Sequence, residues 1–302
     1  MISLLLFETG YRTASFLLVM HAVSAAVNYS LKAQNFSYLT AENYLKFLAS
    51  PLSVVLLLGI LILILLLFLI EISALLSCFR HSYQGRKIYT SDMLIEGVKR
   101  SWDFLKNSHI SWFWCIILAA PFLSMYFLIR EISYIRVLEF TARQIYKVVS
   151  PHWILYGLLG TILLVSFLFI FSLPYCLLEE QKSVKGMKDG LRLLKKQWKK
   201  TLLGFILLHI GMLVFIGVVY VLVLAGMTGI AMFTKSGTSV VSTVLVYSSW
   251  IDMALGIFAG AVQLICSLAF VYVIYARFHV QPQTEAAMEA IIRNHIWFSR
   301  VG

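Results

Sequence analysis

The chain has 302 residues, of which 60% are hydrophobic and only 13% are charged, and its formal net charge is +11. Soluble domains carry about 25% charged residues, so this composition excludes an ordinary soluble protein and indicates a membrane protein. The positive charge alone would suit a nucleic-acid-binding protein, but the placement of the basic residues favours topology and anionic lipid as its cause, and we expect no nucleic-acid partner.

Long apolar runs predict transmembrane helices, because about 20 helical residues cross the hydrocarbon core of a bilayer. Six runs have about this length: 12–30, 52–78, 110–130, 153–178, 202–227 and 249–276. The first is rich in Ala and Ser, and it resembles a signal peptide in its position. We interpret it as an uncleaved span, because no clear small-residue cleavage site accompanies it. The sequence therefore predicts an all-α polytopic membrane helix bundle with six transmembrane helices.

Two segments between the spans are basic and amphipathic. In the first, Leu94, Val98, Trp102 and Leu105 form an apolar stripe, and the second has an equivalent stripe from Val184 to Trp198. Such helices lie in the membrane interface, where each basic residue near an anionic surface adds about 1 kcal/mol of binding. The candidate contacts for anionic lipid headgroups are Lys99, Arg100, Lys106, Lys185, Lys188, Arg192, Lys195, Lys196 and Lys199. A connector helix packed beneath the bundle and a site for a partner protein are the alternatives.

The distribution of basic residues predicts the orientation. Of the 25 Lys and Arg residues, 18 fall in segments on one face of the six-span topology and seven on the other. By the positive-inside rule the richer face is cytoplasmic, which places both termini inside. We therefore expect a multi-pass protein of the bacterial cytoplasmic membrane, with residues 1–280 as its transmembrane domain and residues 281–302 as a cytoplasmic tail.

The two basic segments also suggest a parallel internal repeat. Glu96-Gly97-Val98-Lys99 aligns with Lys185-Gly186-Met187-Lys188, and Ser50-Pro51 aligns with Ser150-Pro151. Each unit would run inward through one span, along a basic helix, and outward through the next span. A third unit would start near Ser249. Chance similarity among apolar segments is the alternative.

Ionisable groups inside spans are candidate functional sites, since burial of a charge in hydrocarbon is costly. Glu71, His209 and Asp252 are the candidates here, although pairing with interfacial cations or with a neighbouring helix would also explain them. No motif for nucleotide binding, metal-dependent proteolysis or nucleophilic catalysis is present. A permease or a lipid-handling protein is the rival class.

Several short stretches resemble a known family. Phe7-Glu8, Leu31-Lys32, Tyr38-Leu39-Thr40, Asn43, Phe47-Leu48 and Pro51 resemble the opening of the membrane domain of bacterial membrane-anchored glycerophosphodiester phosphodiesterases. Leu173-Pro174 and Leu178-Glu179-Glu180, followed by the basic helix to Lys200, extend the similarity over most of residues 1–280.

The resemblance implies a further membrane helix and a TIM-barrel hydrolase after this region, with a His-Arg-Gly motif, a catalytic His pair and carboxylates that hold a divalent metal. His81-Ser82 and His279-Val280 do not match that motif, so no catalytic or metal-binding residue is carried over and no cofactor is expected in this chain. The incomplete third unit favours a chain that stops before those elements, and a stand-alone membrane module is the alternative. The expected function is a non-catalytic domain that anchors a phosphodiesterase, in cis or in trans, and positions it on lipid.

Overall fold

The computed structural model describes residues 2–40, 43–123, 136–233 and 237–280. These residues form helices, with no strand among them. The helices in chain order are α1 (Ile2–Ala33), α2 (Tyr44–Ala49), α3 (Pro51–Tyr83), α4 (Thr90–Ser108), α5 (Ser111–Leu123), α6 (Arg136–Val148), α7 (Trp153–Phe169), α8 (Ser172–Leu178), α9 (Ser183–Phe233) and α10 (Gly237–Tyr275), followed by a short π-helix (Ala276–Val280).

Within the described residues, four stretches are long and apolar enough to cross a membrane: Leu4–Ala33, Pro51–Tyr83, Ser183–Met227 and Ile251–His279. A fifth span is formed if α7 and α8, which meet at a bend of 45°, count as one broken span. The predicted class of multi-span helical protein is thus confirmed, whereas the number of six is not. Helix α5 is apolar but has 13 residues, and residues 124–130 of the predicted third span, like the predicted tail 281–302, lie outside the described residues.

The first helix begins ten residues earlier than the sequence predicts. We expected the span to start at Arg12, because charged side chains are unfavourable in hydrocarbon. The structure instead continues the helix back to Ile2 and buries both Glu8 and Arg12. The prediction was wrong at this end because the two charges are paired inside the bundle.

The protein core lies at the end of the bundle where α3 ends, which we call the basic end. All seven residues of α8 are buried there, and so is the whole stretch from Glu71 to Ser77 of α3. Helix α10 is the most enclosed of the long helices, whereas most of the apolar part of α9 is exposed, with Phe205 as a buried exception. At the opposite end, α2 and α6 meet through the edge contact of Tyr44 with Phe140.

Small residues bring the two basic helices against the spans that precede them. On α4, Gly97 packs so close to α3 that an added Cβ would lie 2.8 Å from the Cβ of Ala74. On α9, a Cβ at Gly190 would lie 2.7 Å from the backbone nitrogen of Ser172. Close approach of helix backbones through small residues is the usual packing mode in membranes.

This packing leaves the predicted apolar stripe of α4 outside the core. Leu94, Val98 and Trp102 are 40%, 47% and 59% exposed, whereas Met93, Gly97, Ser101 and Phe104 face the bundle. The second basic segment differs, since Leu194 is buried there, and it continues into the fifth predicted span as one helix with a kink at Gln197. The predicted apolar stripe is thus the exposed side of α4, and the side facing the bundle combines small residues with Met93 and Phe104.

The close approach at Gly190 gives a stability prediction. We expect Gly190→Ala to lower the free energy of unfolding by about 1–3 kcal/mol, because the new methyl group overlaps the backbone of α8. Gly211→Ala is the matched control in the same helix, where an added Cβ meets nothing within 4 Å. Thermal unfolding in detergent micelles would compare them, and equal effects of the two variants would contradict the packing described here.

Candidate functional site

A buried ionic cluster joins α1 to α3 within the membrane-spanning region. Nε of Arg12 lies 2.7 Å from Oε1 of Glu8 and 2.7 Å from Oε1 of Glu71, and the three side chains are at most 7% exposed. Beside it, the hydroxyl of Tyr11 donates a hydrogen bond to the carbonyl oxygen of Leu67 at 2.8 Å. A buried guanidinium compensated in this way fixes the register of the two helices, since removing one partner would leave an uncompensated charge.

The structure therefore gives Glu71 a partner that sequence reasoning missed. Glu71 was a candidate intramembrane site, but Arg12 was placed at the start of the first span rather than inside it. The available signal was the spacing of Glu8 and Arg12, which are four residues apart and so share one helix face.

The other two intramembrane candidates have separate partners. Nδ1 of His209 lies 2.8 Å from the carbonyl oxygen of Phe205, and its Nε2 is 3.5 Å from Nε2 of Gln263 on α10. Tyr220 donates a hydrogen bond of 3.2 Å to Oδ1 of Asp252. The structure thus places Glu71, His209 and Asp252 in three different contacts rather than in one site.

A polar concavity lies at the basic end, and we call it the basic-end cavity. Its volume is about 640 Å³. Side chains from the end of α3, the loop after it, α4 and the end of α8 surround it. The lining residues are Arg80, His81, Gln84, Arg86, Glu96, Arg100, Leu178, Glu179 and Glu180.

Two arginines of the cavity cap the C-terminus of α8. Nη1 of Arg80 donates to the carbonyl oxygen of Leu178 at 3.1 Å, and Nη1 of Arg100 donates to that of Leu177 at 3.2 Å. The last carbonyls of a helix have no partner within the helix, and a cation there also complements the helix dipole. The arginines therefore satisfy the last carbonyl groups of α8.

Arg100 is held more tightly than a lipid-contacting residue would be. Its Nη2 and Nε lie 2.6 Å and 3.0 Å from Oε1 of Glu96, and its side chain is 16% exposed. His81 is close by, with Nδ1 3.6 Å from Oε2 of Glu96. Arg100 thus forms part of the cavity wall, and its contact with lipid stays a prediction.

Glu179, which lines the cavity, connects the end of α8 to the end of α10. It accepts hydrogen bonds from the hydroxyl of Tyr275 and, at 2.8 Å, from Nε2 of Gln181. Nε2 of His279 lies 2.6 Å from Oε1 of Glu179, and the His279 ring packs against Tyr175. These contacts connect α8 with the π-helix, so four segments of the bundle meet around one polar region.

Sequence reasoning did not identify Arg80, His81, Glu96 or His279 as site residues. They are far apart along the chain, and each is unremarkable in its own segment. Glu179 and Glu180 did appear in the stretch that carries the family resemblance, and that was the available signal.

The remaining predicted lipid contacts are exposed. Two of them lie near exposed tryptophans: Nζ of Lys106 is 5.4 Å from the ring centroid of Trp102, and Nζ of Lys199 is 5.7 Å from that of Trp198. Cation–π contacts of this kind are favourable, and tryptophan is enriched at membrane interfaces. The exposed set is Lys99, Lys106, Lys185, Lys188, Arg192, Lys195, Lys196 and Lys199.

A family described as the membrane domain of glycerophosphoryl diester phosphodiesterase matches residues 1–301. The chain belongs to this family. The match confirms the resemblance seen in the sequence and covers both the ionic cluster and the basic-end cavity. Comparison with curated proteins and with solved structures gave no match.

The divalent metal implied by the hydrolase part of the family has no fitting ligand set in the described residues. In ranges 2–40, 43–123, 136–233 and 237–280, no group of three or more His, Cys, Asp or Glu side chains is placed to hold a metal ion. Glu96 and Glu179 are instead engaged by Arg100 and His279. We therefore derive no step of chemistry through a metal in this domain.

The ionic cluster gives a second stability prediction. We expect Arg12→Met to lower the free energy of unfolding by about 3–5 kcal/mol, because two buried carboxylates lose their cation. The triple variant E8Q/R12M/E71Q should recover part of the lost free energy of unfolding, because it also removes the carboxylate charge. The comparison separates the contribution of charge from that of packing.

Arg143→Met is the matched control, since Arg143 also pairs with a glutamate four residues earlier but is 74% exposed. Its cost should be below about 1 kcal/mol. Chemical denaturation in detergent micelles would measure all three variants. An Arg12→Met loss no larger than that of Arg143→Met would refute the proposed role of the cluster.

Proposed function

We propose that this chain is a non-catalytic domain that anchors a phosphodiesterase of glycerophospholipid metabolism to the membrane and positions it on lipid. The observation that carries the proposal is the exposed surface of α4 and of the start of α9. There, apolar residues such as Trp102 and Trp198 lie beside exposed cations. An amphipathic surface of this composition matches the interface between headgroups and acyl chains.

The proposed location is the bacterial cytoplasmic membrane, with both termini in the cytoplasm. The asymmetric distribution of Lys and Arg in the sequence supports this orientation. The basic end of the bundle would then face the cytoplasm, where the inner leaflet carries anionic lipid and attracts basic segments.

We also retain the proposal of six spans arranged as a parallel repeat. Gly97 and Gly186, which the sequence alignment equates, both lie against the end of the preceding inward helix. An added Cβ at Gly186 would lie 2.4 Å from Sγ of Cys176, just as Gly97 approaches Ala74. Ser101 and Gly190 form a second equated pair, since Ser101 hydrogen-bonds Ser73 at 3.0 Å and Gly190 approaches Ser172. These matched contacts support the repeat.

The anchoring role predicts that the purified chain has no phosphodiesterase activity of its own. We expect no turnover of soluble glycerophosphodiesters with or without Mg²⁺, Mn²⁺ or Ca²⁺, measured by release of glycerol 3-phosphate. Robust metal-dependent turnover would sink this proposal. A Glu96→Gln/Glu179→Gln variant would control for trace contamination, because a contaminating enzyme would be unaffected by it.

The lipid-positioning role predicts selective association with anionic lipid at the basic end. Neutralising Lys185, Lys188 and Lys195 to Gln should reduce the bound fraction of phosphatidylglycerol, since each basic residue contributes about 1 kcal/mol near an anionic surface. Electron spin resonance of spin-labelled lipid would measure that fraction.

The matched control neutralises Lys46, Arg143 and Lys147, which are exposed on α2 and α6 at the opposite end. It should leave the inner-leaflet association unchanged in oriented proteoliposomes. Equal losses from the two triple variants would contradict a specific role for the basic end.

A permease or lipid-handling protein is the second candidate function. The bend of 45° between α7 and α8 favours it, since broken helices often line transport sites. Neither of the two cavities described is lined by Glu71 or His209, however: one is the basic-end cavity, and the other is a small apolar space near Tyr220. Substrate flux into liposomes that Glu71→Ala abolishes would favour this candidate over the anchor.

A further inference from the structure

The ionic cluster between α1 and α3 contains more acidic than basic groups. Glu8 and Glu71 supply two carboxyl groups, whereas Arg12 supplies one guanidinium. Glu8 has no exposed surface and Glu71 is 6% exposed, so bulk water does not reach the cluster to stabilise a surplus charge. A surplus charge buried in this way is strongly disfavoured, and neutralisation of the group is the usual outcome.

The hydrogen bonds of the cluster indicate that a donor is missing. Nε of Arg12 bears a single hydrogen, which it donates to Oε1 of Glu8 at 2.7 Å. Oε1 of Glu71 lies 2.7 Å from the same nitrogen but accepts no hydrogen bond from the described residues, and neither does Oε2 of Glu8. Buried polar atoms are nearly always hydrogen-bonded, so these two buried acceptors require an explanation.

The two carboxyl groups are close enough for one of them to be that donor. Both Oε1 atoms lie 2.7 Å from one nitrogen, so they are separated by at most twice that distance. The side chains of Glu8 and Glu71 are within hydrogen-bonding reach of each other. An ionised carboxylate can only accept a hydrogen bond, whereas a protonated carboxyl group also donates one. A single added proton therefore supplies the missing donor.

We infer that Glu8 and Glu71 form a proton-binding site inside the membrane-spanning region, where one proton from solution is held between the two carboxyl groups. The charges of the two carboxylates, the guanidinium of Arg12 and the proton then sum to zero. Loss of Arg12 would still leave a buried negative charge. The inference does not rest on the anchoring role, because it concerns the contact between α1 and α3.

The other titratable groups of the surrounding helices do not supply a compensating charge. Helices α3, α4 and α10 all contact α1. Tyr11 of α1 and Cys78 of α3 are a phenol and a thiol, which are uncharged at neutral pH. Helix α4 packs Met93 towards α1, and its Glu96 lines the basic-end cavity instead. On α10, residues 253–271 contain Cys266 as their single titratable side chain.

Infrared spectroscopy of the purified full chain in dodecyl maltoside micelles tests for the proton, because a protonated carboxyl group has a C=O stretch that an ionised carboxylate lacks. Difference spectra between the wild type and each variant at neutral pH would isolate this band. Glu8→Gln and Glu71→Gln should each abolish it, since the one remaining carboxylate pairs with Arg12 and needs no proton. Glu139→Gln is the matched control and should retain the band, because Glu139 pairs with the exposed Arg143.

The pH dependence of unfolding gives an independent readout. Glutamates exposed in the unfolded chain are ionised above about pH 5, whereas the folded site keeps its proton, so unfolding releases one proton. Stability should therefore fall as the pH rises. Between about pH 6 and pH 8, the unfolding equilibrium constant in mixed micelles should rise about tenfold per pH unit more steeply for the wild type than for Glu8→Gln.

Glu71→Gln is the second variant for this measurement and should lose the same part of the pH dependence, whereas Glu139→Gln should keep it. Three results would overturn the inference: no protonated carboxyl band in the wild type, persistence of the band in either Glu8→Gln or Glu71→Gln, or equal pH dependence of unfolding in the wild type and both variants. None of these readouts involves lipid binding or phosphodiesterase activity, so failure of the anchoring proposal and failure of this one are separable.

Discussion

The interior of a bilayer supplies no water to a polar or charged group, so each such group in a spanning helix must find its partner in the protein. This constraint accounts for the main features of the bundle. Arg12 is tolerated inside α1 because two carboxylates reach it, and one of them comes from α3. The last carbonyl groups of α8, those of Leu177 and Leu178, accept hydrogen bonds from Arg100 and Arg80.

The same constraint concentrates the structure at one end. Small residues at Gly97 and Gly190 let the two basic helices approach the preceding spans, and most of their cationic side chains are exposed. Most of the apolar stretch of α9 is exposed, and in a bilayer association between helices has no hydrophobic driving force. The described helices are therefore closely packed at the basic end and more exposed elsewhere.

The chain belongs to a family described as the membrane domain of glycerophosphoryl diester phosphodiesterase. Its described polar groups are committed to structure, as in Arg100 with Glu96, or to a charge-balanced cavity. Polar groups that are paired in this way stabilise the bundle and do not act as reacting groups. This arrangement is consistent with the proposed anchor, whose chemistry would take place in another domain.

The sequence predicted most of the helices that surround the site but few of the residues that form it. Apolar runs located the spans of α3, α9 and α10, and the amphipathic pattern located both basic helices with eight exposed cations. The start of α1 was wrong, and the residues around Glu179 were missed. These errors share a cause, since each concerns a polar group with a partner far along the chain: Arg12 pairs with Glu71 on α3, and Glu179 pairs with Tyr275 and His279.

By itself, then, the sequence determined the class of protein, the position of most spans and the end of the bundle that carries positive charge, because hydropathy and charge are properties of single segments. The tertiary structure decided which charges are buried, which face of α4 meets the bundle and which side chains enclose a cavity. Those properties depend on pairs of residues. A charge can be buried only where the fold places a compensating group beside it.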